Sequence, residues 1–268
     1  QNNQMATRNA PPRASAMLES LRGLGYSTAS ALADIIDNSI SAGATTVDIQ
    51  FNWKEKSSNI YILDNGSGMS DQELESAMTL GHKNPLDARS LNDLGRFGMG
   101  LKTASFSQCK RLTVASRKNG VTSCLRWDLE LLTANPEMGW VLIEGAASGS
   151  EDLPGQLESL GHGTLVIWEV LDRIVTESFT VNDFLALMEE QVERHLAMVF
   201  HRLLEGHHPK LRLNLNGKKI EAWDPFLSGH PAKPWTSPVQ RHMTSCGNIE
   251  VQCHVLPHRD KLTDREYE

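Results

Sequence analysis

Residues 34–44 read Asp-Ile-Ile-Asp-Asn-Ser-Ile-Ser-Ala-Gly-Ala, and they belong to a helix that the sequence predicts from about Thr28 to Ser41. Asp34, Asn38 and Ser41 stand at i, i+4 and i+7, so they share one polar stripe of that helix. A carboxylate and an amide one turn apart can act together, the amide as a metal ligand and the carboxylate as a base for water. The pair alone is more typical of a solvated helix face. A separate stripe of apolar residues predicts burial: Ala29, Leu32, Ala33, Ile36 and Ile40.

Two strands are predicted after Gly43, because the hydrophobic period changes there from 3.6 to 2. The second strand ends in Asp64-Asn-Gly66-Ser-Gly68. An aspartate at the end of a buried strand can accept a hydrogen bond from the exocyclic amine of a ligand, and the glycines would leave room for a flat ring. The same letters are common in hairpin turns, so this stretch alone leaves both interpretations open.

A second glycine-rich segment, Gly95-Arg-Phe-Gly-Met-Gly-Leu-Lys102, can cradle a phosphate, because glycines let backbone N–H groups approach an anion closely. A helix that begins near Met99 would add the positive end of its dipole. The segment is not a P-loop, because Lys102 does not directly follow the last glycine. Its glycine order also differs from the dinucleotide-binding fingerprint. A glycine-rich turn without a ligand is the alternative.

The rest of the chain indicates the fold class. Strand-like runs return at 111–116, 121–128, 139–144 and 163–170. A long amphipathic helix is predicted over 181–205, and a hairpin around Asn216-Gly217 follows it. These elements predict an α+β two-layer sandwich, with a mixed, mostly antiparallel sheet and helices on one face. We expect a flexible arm, a main domain, and a linker with the first strand of a second domain, over 1–14, 15–226 and 227–268.

Composition excludes several classes of protein. Lys plus Arg number 26 against 33 Asp plus Glu, a net charge of −7 that argues against a nucleic-acid coat. No stretch approaches the roughly 18 apolar residues that span a bilayer, so we expect no membrane partner and a cytoplasmic location. Four cysteines without a CxxC pair suit a reducing compartment. The spacing of four cysteine and histidine residues near the C-terminus fits no common zinc finger, so they are predicted to be unpaired surface and strand residues: Cys246, Cys253, His254 and His258.

Four motifs, in this order along the chain, resemble those of the Bergerat-fold (GHKL) ATPases, which include gyrase-type, heat-shock-chaperone-type, histidine-kinase-type and MutL-type proteins. An acid, three residues, Asn and a later Ala stand within 34–44, and D-x-G-x-G stands at 64–68. G-x-x-G-x-G stands at 95–100, and Gly-Thr precedes a strand at 163–164. Each motif is a weak signal alone, whereas the four in this order are specific.

Within the superfamily the sequence most resembles the microrchidia (MORC) ATPases of prokaryotic type. The runs that carry this likeness are Leu80–Lys83, Gly95–Ser105, Asn216–Lys218 and Asp224–Phe226. MutL-type proteins usually carry G-F-R-G-E-A in the third motif, which this sequence lacks. Two positions depart from the superfamily pattern. Asp34 replaces the usual Glu, which predicts slow hydrolysis or a differently placed water, and Ser41 replaces an Asp.

The resemblance implies a role for each site residue. Asp34 would be the catalytic base, and Asn38 would coordinate Mg²⁺. Asp64 would hydrogen-bond the adenine amine, supported through a water by Thr164. Other residues would wall the base, hold the phosphates, or reach the γ-phosphate from the closing segment. The complete implied ATP-binding set is Asn38, Ala42, Asp64, Gly68, Met69, Lys83, Gly95, Arg96, Phe97, Gly98, Met99, Gly100, Leu101, Lys102 and Thr164.

The implied function is Mg²⁺-dependent ATP binding and slow hydrolysis, with ATP-driven closure of a homodimer. DNA would be a partner only through a full-length protein, with defence against foreign DNA as one context that the resemblance suggests. Two alternatives stay open at this point. One is an ATP-binding conformational switch with little turnover, and the other is a chaperone-like ATPase.

Overall fold

The computed structural model describes residues 8, 10–23, 25–81 and 100–267, with the side chain of residue 265 excepted. The chain divides into two compact units, Gln1–Glu221 and Ala222–Glu268. This division falls near the predicted end of the main domain. The identity of the second unit as the start of a transducer-like domain stays a prediction.

The first unit contains one sheet of eight strands, in the order β5-β4-β3-β6-β2-β1-β7-β8. All neighbouring strands pair antiparallel except β1 and β7, which pair in parallel. The predicted mixed, mostly antiparallel sheet is therefore confirmed. The strands are β1 (Thr46–Asn52), β2 (Asn59–Asp64), β3 (Arg111–Lys118), β4 (Val121–Asp128), β5 (Ile143–Glu144), β6 (Gly163–Glu169), β7 (Arg212–Leu215) and β8 (Lys218–Lys219).

Helix α2 begins and ends where local sequence signals predict, and α3 begins at the predicted cap. Helix α2 covers Thr28–Ser41, and the Ser27 side chain caps it by accepting from the Ser30 amide. Helix α3 begins with a capping box between Ser70 and Glu73. The helices of the first unit are α1 (Ala14–Leu21), α2, α3 (Asp71–Met78), α4 (Gly100–Phe106), α5 (Leu129–Ala134), α6 (Gln156–Leu160), α7 (Val181–Ala186), α8 (Arg194–Val199) and α9 (His201–Leu204).

The two faces of the sheet have different covers. Helix α2 packs its apolar stripe toward the sheet, and Leu32 and Ile36 are fully buried. The short helix α6 lies on the opposite face, where Leu157 packs against Leu63 and Leu165. The fold is thus an α+β sandwich whose larger helix layer adjoins the face that carries Asp64.

Two predicted elements differ in detail from those observed. The predicted strand over 139–144 is reduced to Ile143–Glu144, because a 3₁₀ turn at Pro136–Met138 precedes Gly139, whose φ is 68°. The predicted helix over 181–205 is helical, but a π-helical segment at Leu187–Glu193 separates α7 from α8. Its last turn, α9, follows a break at Phe200.

The predicted hairpin at Asn216-Gly217 is confirmed, and both residues have the positive φ angles that a tight hairpin turn requires. The Asn216 side chain also bonds to the backbone of Phe51, accepting from its N–H at 2.7 Å and donating to its carbonyl oxygen at 3.2 Å. These bonds fasten the hairpin to β1. Within the described residues, no helix combines the length and the apolar character needed to cross a bilayer.

The second unit contains two pairs of short antiparallel strands. Strands β10 (Gln240–Thr244) and β11 (Gly247–Val251) form a hairpin, and β9 (Trp235–Thr236) pairs with β12 (His254–Val255). Where the sequence predicted a linker and one strand, the structure thus has short strands in two pairs. A short helix, α10 (Asp264–Tyr267), ends the described chain.

Candidate functional site

A cavity of about 720 Å³ lies between α2, α3, the start of α4 and the ends of β2 and β6. Its walls combine polar groups with apolar side chains of the helices and the sheet, as ligand pockets usually do. The predicted site residues that line it are Asn38, Ala42, Asp64, Gly68, Met69, Gly100, Leu101 and Thr164. The first, second and fourth motifs thus meet at one place, together with the last glycine of the third.

Asp64 is the best-defined polar group of the cavity. Its Oδ1 accepts from the backbone N–H groups of Gly66 at 2.8 Å and Thr164 at 3.2 Å, and its Oδ2 accepts from the Ser39 hydroxyl at 2.7 Å. Burial raises the pKa of Asp64, and these three hydrogen bonds counteract part of the increase. A carboxylate has about four acceptor positions, so one on Oδ2 is left for a ligand donor in the cavity.

The backbone N–H of Thr164 donates a hydrogen bond directly to Asp64. The predicted contact of the Thr164 hydroxyl through a water stays a prediction. That hydroxyl lies 2.9 Å from Ser116 Oγ, which in turn donates to the Gly163 carbonyl oxygen at 3.0 Å. The Met69 backbone N–H donates to the same Ser116 oxygen at 2.8 Å. Ser116 therefore joins the second and fourth motifs, and it fixes the backbone of Met69 at the cavity wall.

The motif glycines are required by close packing of the backbone. A Cβ atom on Gly68 would lie 2.0 Å from the carbonyl oxygen of Arg117, and one on Gly163 would lie 2.1 Å from that of Asp64. Both glycines also have positive φ angles, +68° and +138°. A Cβ on Gly66 would approach Asp64 Oδ1 to 3.0 Å. Gly68 was expected to leave room for a flat ring. In the structure, the space that its Cβ would occupy is filled by the backbone of Arg117.

Helix α2 carries three polar side chains of the first motif, of which Asn38 lines the cavity. Asn38 is exposed and lines the cavity directly. Asp34, one turn earlier, is half-buried and accepts a hydrogen bond at 2.8 Å from the hydroxyl of Tyr26. Burial raises the pKa of Asp37, and the negative charge of Asp34 raises it further. The described part of the cavity wall includes Asn38 but not Asp34.

Lys102 lies on the first turn of α4, and its side chain is almost completely buried. Its Nζ donates to the carbonyl oxygens of Ala77 at 2.7 Å and Thr79 at 2.8 Å, at the end of α3. In this arrangement the amine stabilises the end of α3, beside the cavity. Its contact with a phosphate stays a prediction.

Six predicted site residues lie outside the described residues: Lys83, Gly95, Arg96, Phe97, Gly98 and Met99. Within the described ranges, no three His, Cys, Asp or Glu side chains come together as a metal site. A cation at this cavity would therefore take few ligands from the described part of the protein. The Asn38 amide is the predicted one, and the substrate and water would supply the others.

Residues 26–164 match the family described as histidine kinase-, DNA gyrase B- and HSP90-like ATPase, over more than half of the 268 residues. The chain belongs to this family. GHKL ATPases bind and hydrolyse ATP, so family membership supports a nucleotide as the ligand of the cavity. The matched range contains all four motifs and ends at Thr164, the fourth-motif residue that contacts Asp64.

Among characterised GHKL proteins the chain is similar to both MORC and MutL proteins. It is 31% identical to ATPase morc-1 of Caenorhabditis elegans over 96 residues, which cover 36% of this chain and 11% of the relative. It is 33% identical to ATPase MORC2B of Mus musculus over 98 residues, which cover 35% and 10%. It is 42% identical to the DNA mismatch repair protein MutL of Shewanella loihica over 93 residues, which cover 33% and 14%.

The likeness to MORC ATPases that the sequence predicts is confirmed, with a likeness to MutL beside it despite the different third motif. The matches cover about a tenth to a seventh of the relatives' length. Sequence analysis missed several residues of the site, among them Tyr26, Ser39 and Ser116. Ser39 directly follows Asn38 in the first motif, and its position there is the one local signal that could have indicated it.

Proposed function

We propose that this chain is a Mg²⁺-dependent ATPase module that hydrolyses ATP slowly and closes into a dimer when ATP is bound. The observation that carries this proposal is the buried Asp64 carboxylate, which has three protein donors and one remaining acceptor position in a cavity of about 720 Å³. An exocyclic amine is the donor that this position accepts. Adenine carries that amine, whereas guanine carries an oxygen at the same place.

The hydrolytic step needs a base for water and an environment that favours negative charge. The water oxygen forms a bond to the γ-phosphorus while the bond from that phosphorus to the bridging oxygen breaks. Asp34 accepts the proton of the water, and ADP leaves with the bonding electrons. Asn38 would hold Mg²⁺, which supplies neutralisation of phosphate charge when bound. Backbone N–H groups at the start of α4 are the predicted phosphate donors, beginning at Gly100.

Phosphate release with Mg²⁺ and ATP tests the proposal. The wild-type protein should release phosphate, and removal of Mg²⁺ with EDTA should stop the release. Asp34→Asn should bind ATP with unchanged or tighter affinity and lose most of the turnover, because an amide does not accept the proton of water. Asp152→Asn is the matched control, because Asp152 is exposed and lies outside the cavity lining. A wild-type rate in Asp34→Asn would show that the base lies elsewhere, with Asp37 as the next candidate.

A second candidate function is an ATP-binding switch with little turnover. The observation that favours it is the position of Asp34, which bonds to Tyr26 and is shorter than the usual Glu. This candidate predicts tight ATP binding, no phosphate release above background, and an ATP-dependent change in oligomeric state. Asp34→Glu separates the two functions, because the ATPase proposal expects equal or higher turnover in that variant and the switch expects none.

A DNA-associated role is proposed for a longer protein that contains this module. Its support is the likeness to MutL, a DNA mismatch repair protein, together with the small share of that relative that the chain spans. Comparison of ATP turnover with and without double-stranded DNA, in a full-length protein, tests this role. Stimulation by an unfolded protein instead would favour a chaperone-like ATPase.

A further inference from the structure

Tyr26 contacts the carboxylate to which the proposed hydrolysis assigns the proton of water. Its hydroxyl donates to Oδ2 of Asp34 at 2.8 Å, across the start of α2. Burial raises the pKa of the Tyr26 phenol, and the hydrogen bond to Asp34 raises it further, so the hydroxyl stays a donor. The bond uses Oδ2, and the lone pairs of Oδ1 can accept a proton from water.

Tyr26 is itself held at two other points, both on the segment that begins at α4. The Thr103 side chain, in the first turn of α4, interacts with the Tyr26 phenol in the direction that lowers its pKa. The Gln108 amide, just beyond α4, donates to the Tyr26 carbonyl oxygen at 3.2 Å. Gln108 also accepts from the Thr28 hydroxyl at 2.7 Å, so the same amide holds the first residue of α2.

Hydrogen bonds form a chain from Gln108, just beyond α4, through Tyr26 to Asp34. Helix α4 starts at Gly100, the last glycine of the predicted phosphate segment, and Asp34 lies on α2. Tyr26 thus connects the end of the α4 segment, which follows the predicted phosphate-binding glycines, with α2, which carries Asp34. A side chain with one methylene has a short reach, so its orientation depends strongly on what it contacts.

We propose that Tyr26 is a positioning residue for ATP hydrolysis, which holds the Asp34 carboxylate in a fixed orientation relative to α4. This inference rests on the proposed function, because it takes Asp34 as the base. Tyr26 acts on the chemical step through Asp34 and is not among the described residues that line the cavity. Its loss should therefore lower kcat and leave ATP affinity unchanged.

The experiment compares six proteins in one assay: wild type, Tyr26→Phe, Thr103→Val, the double variant Tyr26→Phe/Thr103→Val, Asp34→Asn and Tyr61→Phe. Tyr61 is a matched control, because it lies on β2 and packs against the core cluster on the opposite face of the sheet. We expect Tyr26→Phe to lower kcat about ten- to a hundredfold. The KM for ATP, the calorimetric Kd and the melting temperature should stay close to those of wild type, and Tyr61→Phe should keep wild-type kcat.

Thr103→Val removes the hydroxyl of α4 that interacts with the Tyr26 phenol. It should lower kcat with unchanged KM, and the double variant Tyr26→Phe/Thr103→Val should be no slower than Tyr26→Phe alone. If Tyr26→Phe does not fold, Thr103→Val decides the question. A kcat at or above the wild-type value, or a rise in KM with unchanged kcat, overturns the positioning role.

Asp34→Asn distinguishes failure of this inference from failure of the proposed function. If Asp34→Asn is inactive while Tyr26→Phe hydrolyses ATP at the wild-type rate, the base assignment stands and the role of Tyr26 is wrong. If Asp34→Asn keeps the wild-type rate, both are wrong, because Tyr26 then positions no base.

Discussion

Asp64→Asn is the substitution that tests the adenine assignment most directly, because the new side chain has nearly the same shape. Its amide oxygen can accept from the N–H groups of Gly66 and Thr164, as Oδ1 of the aspartate does. Its amide nitrogen can donate to the Ser39 oxygen once that hydroxyl rotates. The protein contacts are therefore conserved, whereas the position that faces the cavity changes from acceptor to donor.

The expected loss follows from this change. A hydrogen bond to a charged group contributes roughly 1.5–3 kcal/mol, so the Kd for ATP should rise about ten- to a hundredfold. Inosine triphosphate carries an oxygen in place of the adenine amine, and it should bind the variant better than it binds wild type. Calorimetry with the two nucleotides measures both effects. Asp71→Asn is the control, because Asp71 is exposed on α3 and should keep wild-type affinity.

Stability gives an independent check that the variant is folded. Burial raises the pKa of Asp64 above the ordinary value of 3.8, so folding favours its protonated form. The stability that Asp64 contributes is present below pH 3.8 and is lost as the pH rises through its raised pKa. Asp64→Asn should therefore melt no lower than wild type at pH 7, and its advantage should disappear near pH 4. Wild-type ATP affinity in a folded Asp64→Asn protein would refute the adenine assignment.

Three further predictions concern packing, assembly and thiol chemistry. Gly68→Ala should lower the free energy of unfolding by at least about 1–3 kcal/mol in urea titrations, because the new Cβ would lie 2.0 Å from the Arg117 carbonyl oxygen at a positive φ; wild-type stability would contradict this. Light scattering should show a larger mass with a non-hydrolysable ATP analogue and Mg²⁺, and deletion of residues 1–14 should abolish that increase; a mass that ignores nucleotide at all concentrations would reject dimer closure. A thiol reagent at pH 8 should modify two of the four cysteines of the native protein and all four in denaturant. The two cysteines of the second unit are exposed and should react. Cys109 is buried, and burial raises the pKa of Cys124 to about 11, so these two should react only after unfolding.

Local sequence signals predicted most of the elements that surround the cavity. The apolar spacing of α2 determines that helix within a few residues of chain, so α2 was predicted with both ends right, whereas the helix predicted over 71–80 from the Ser70 cap ends at Met78. Period-2 alternation likewise predicted β1 and β2. The parallel pairing of β1 with β7 depends on residues more than 160 positions apart, and no local pattern indicates it.

Motif spacing predicted which residues gather at the cavity, but it did not predict how they are held. Asp64 and Thr164 face each other in the register of β2 and β6, although they are one hundred positions apart in the sequence. Ser116 joins them from β3, and its hydroxyl looks like any other strand serine in the sequence. The contact between Tyr26 and Asp34 was missed for a similar reason, since a tyrosine eight residues before an acid has no characteristic pattern.

The close contacts at Gly68 and Gly163 bear on how relatives of this protein can lose activity. A side chain at either position would collide with a neighbouring carbonyl oxygen, so selection for a stable sheet alone would preserve both glycines. Asp64 differs from the glycines, because its burial as an acid disfavours folding at neutral pH and the benefit that we propose for it is a hydrogen bond to a bound nucleotide. A descendant that no longer bound nucleotide would therefore keep both glycines and would be free to replace the aspartate with an amide. In a genome survey, the two glycines would identify the fold, and an acid at the position of Asp64 would separate nucleotide-binding members from inactive scaffolds.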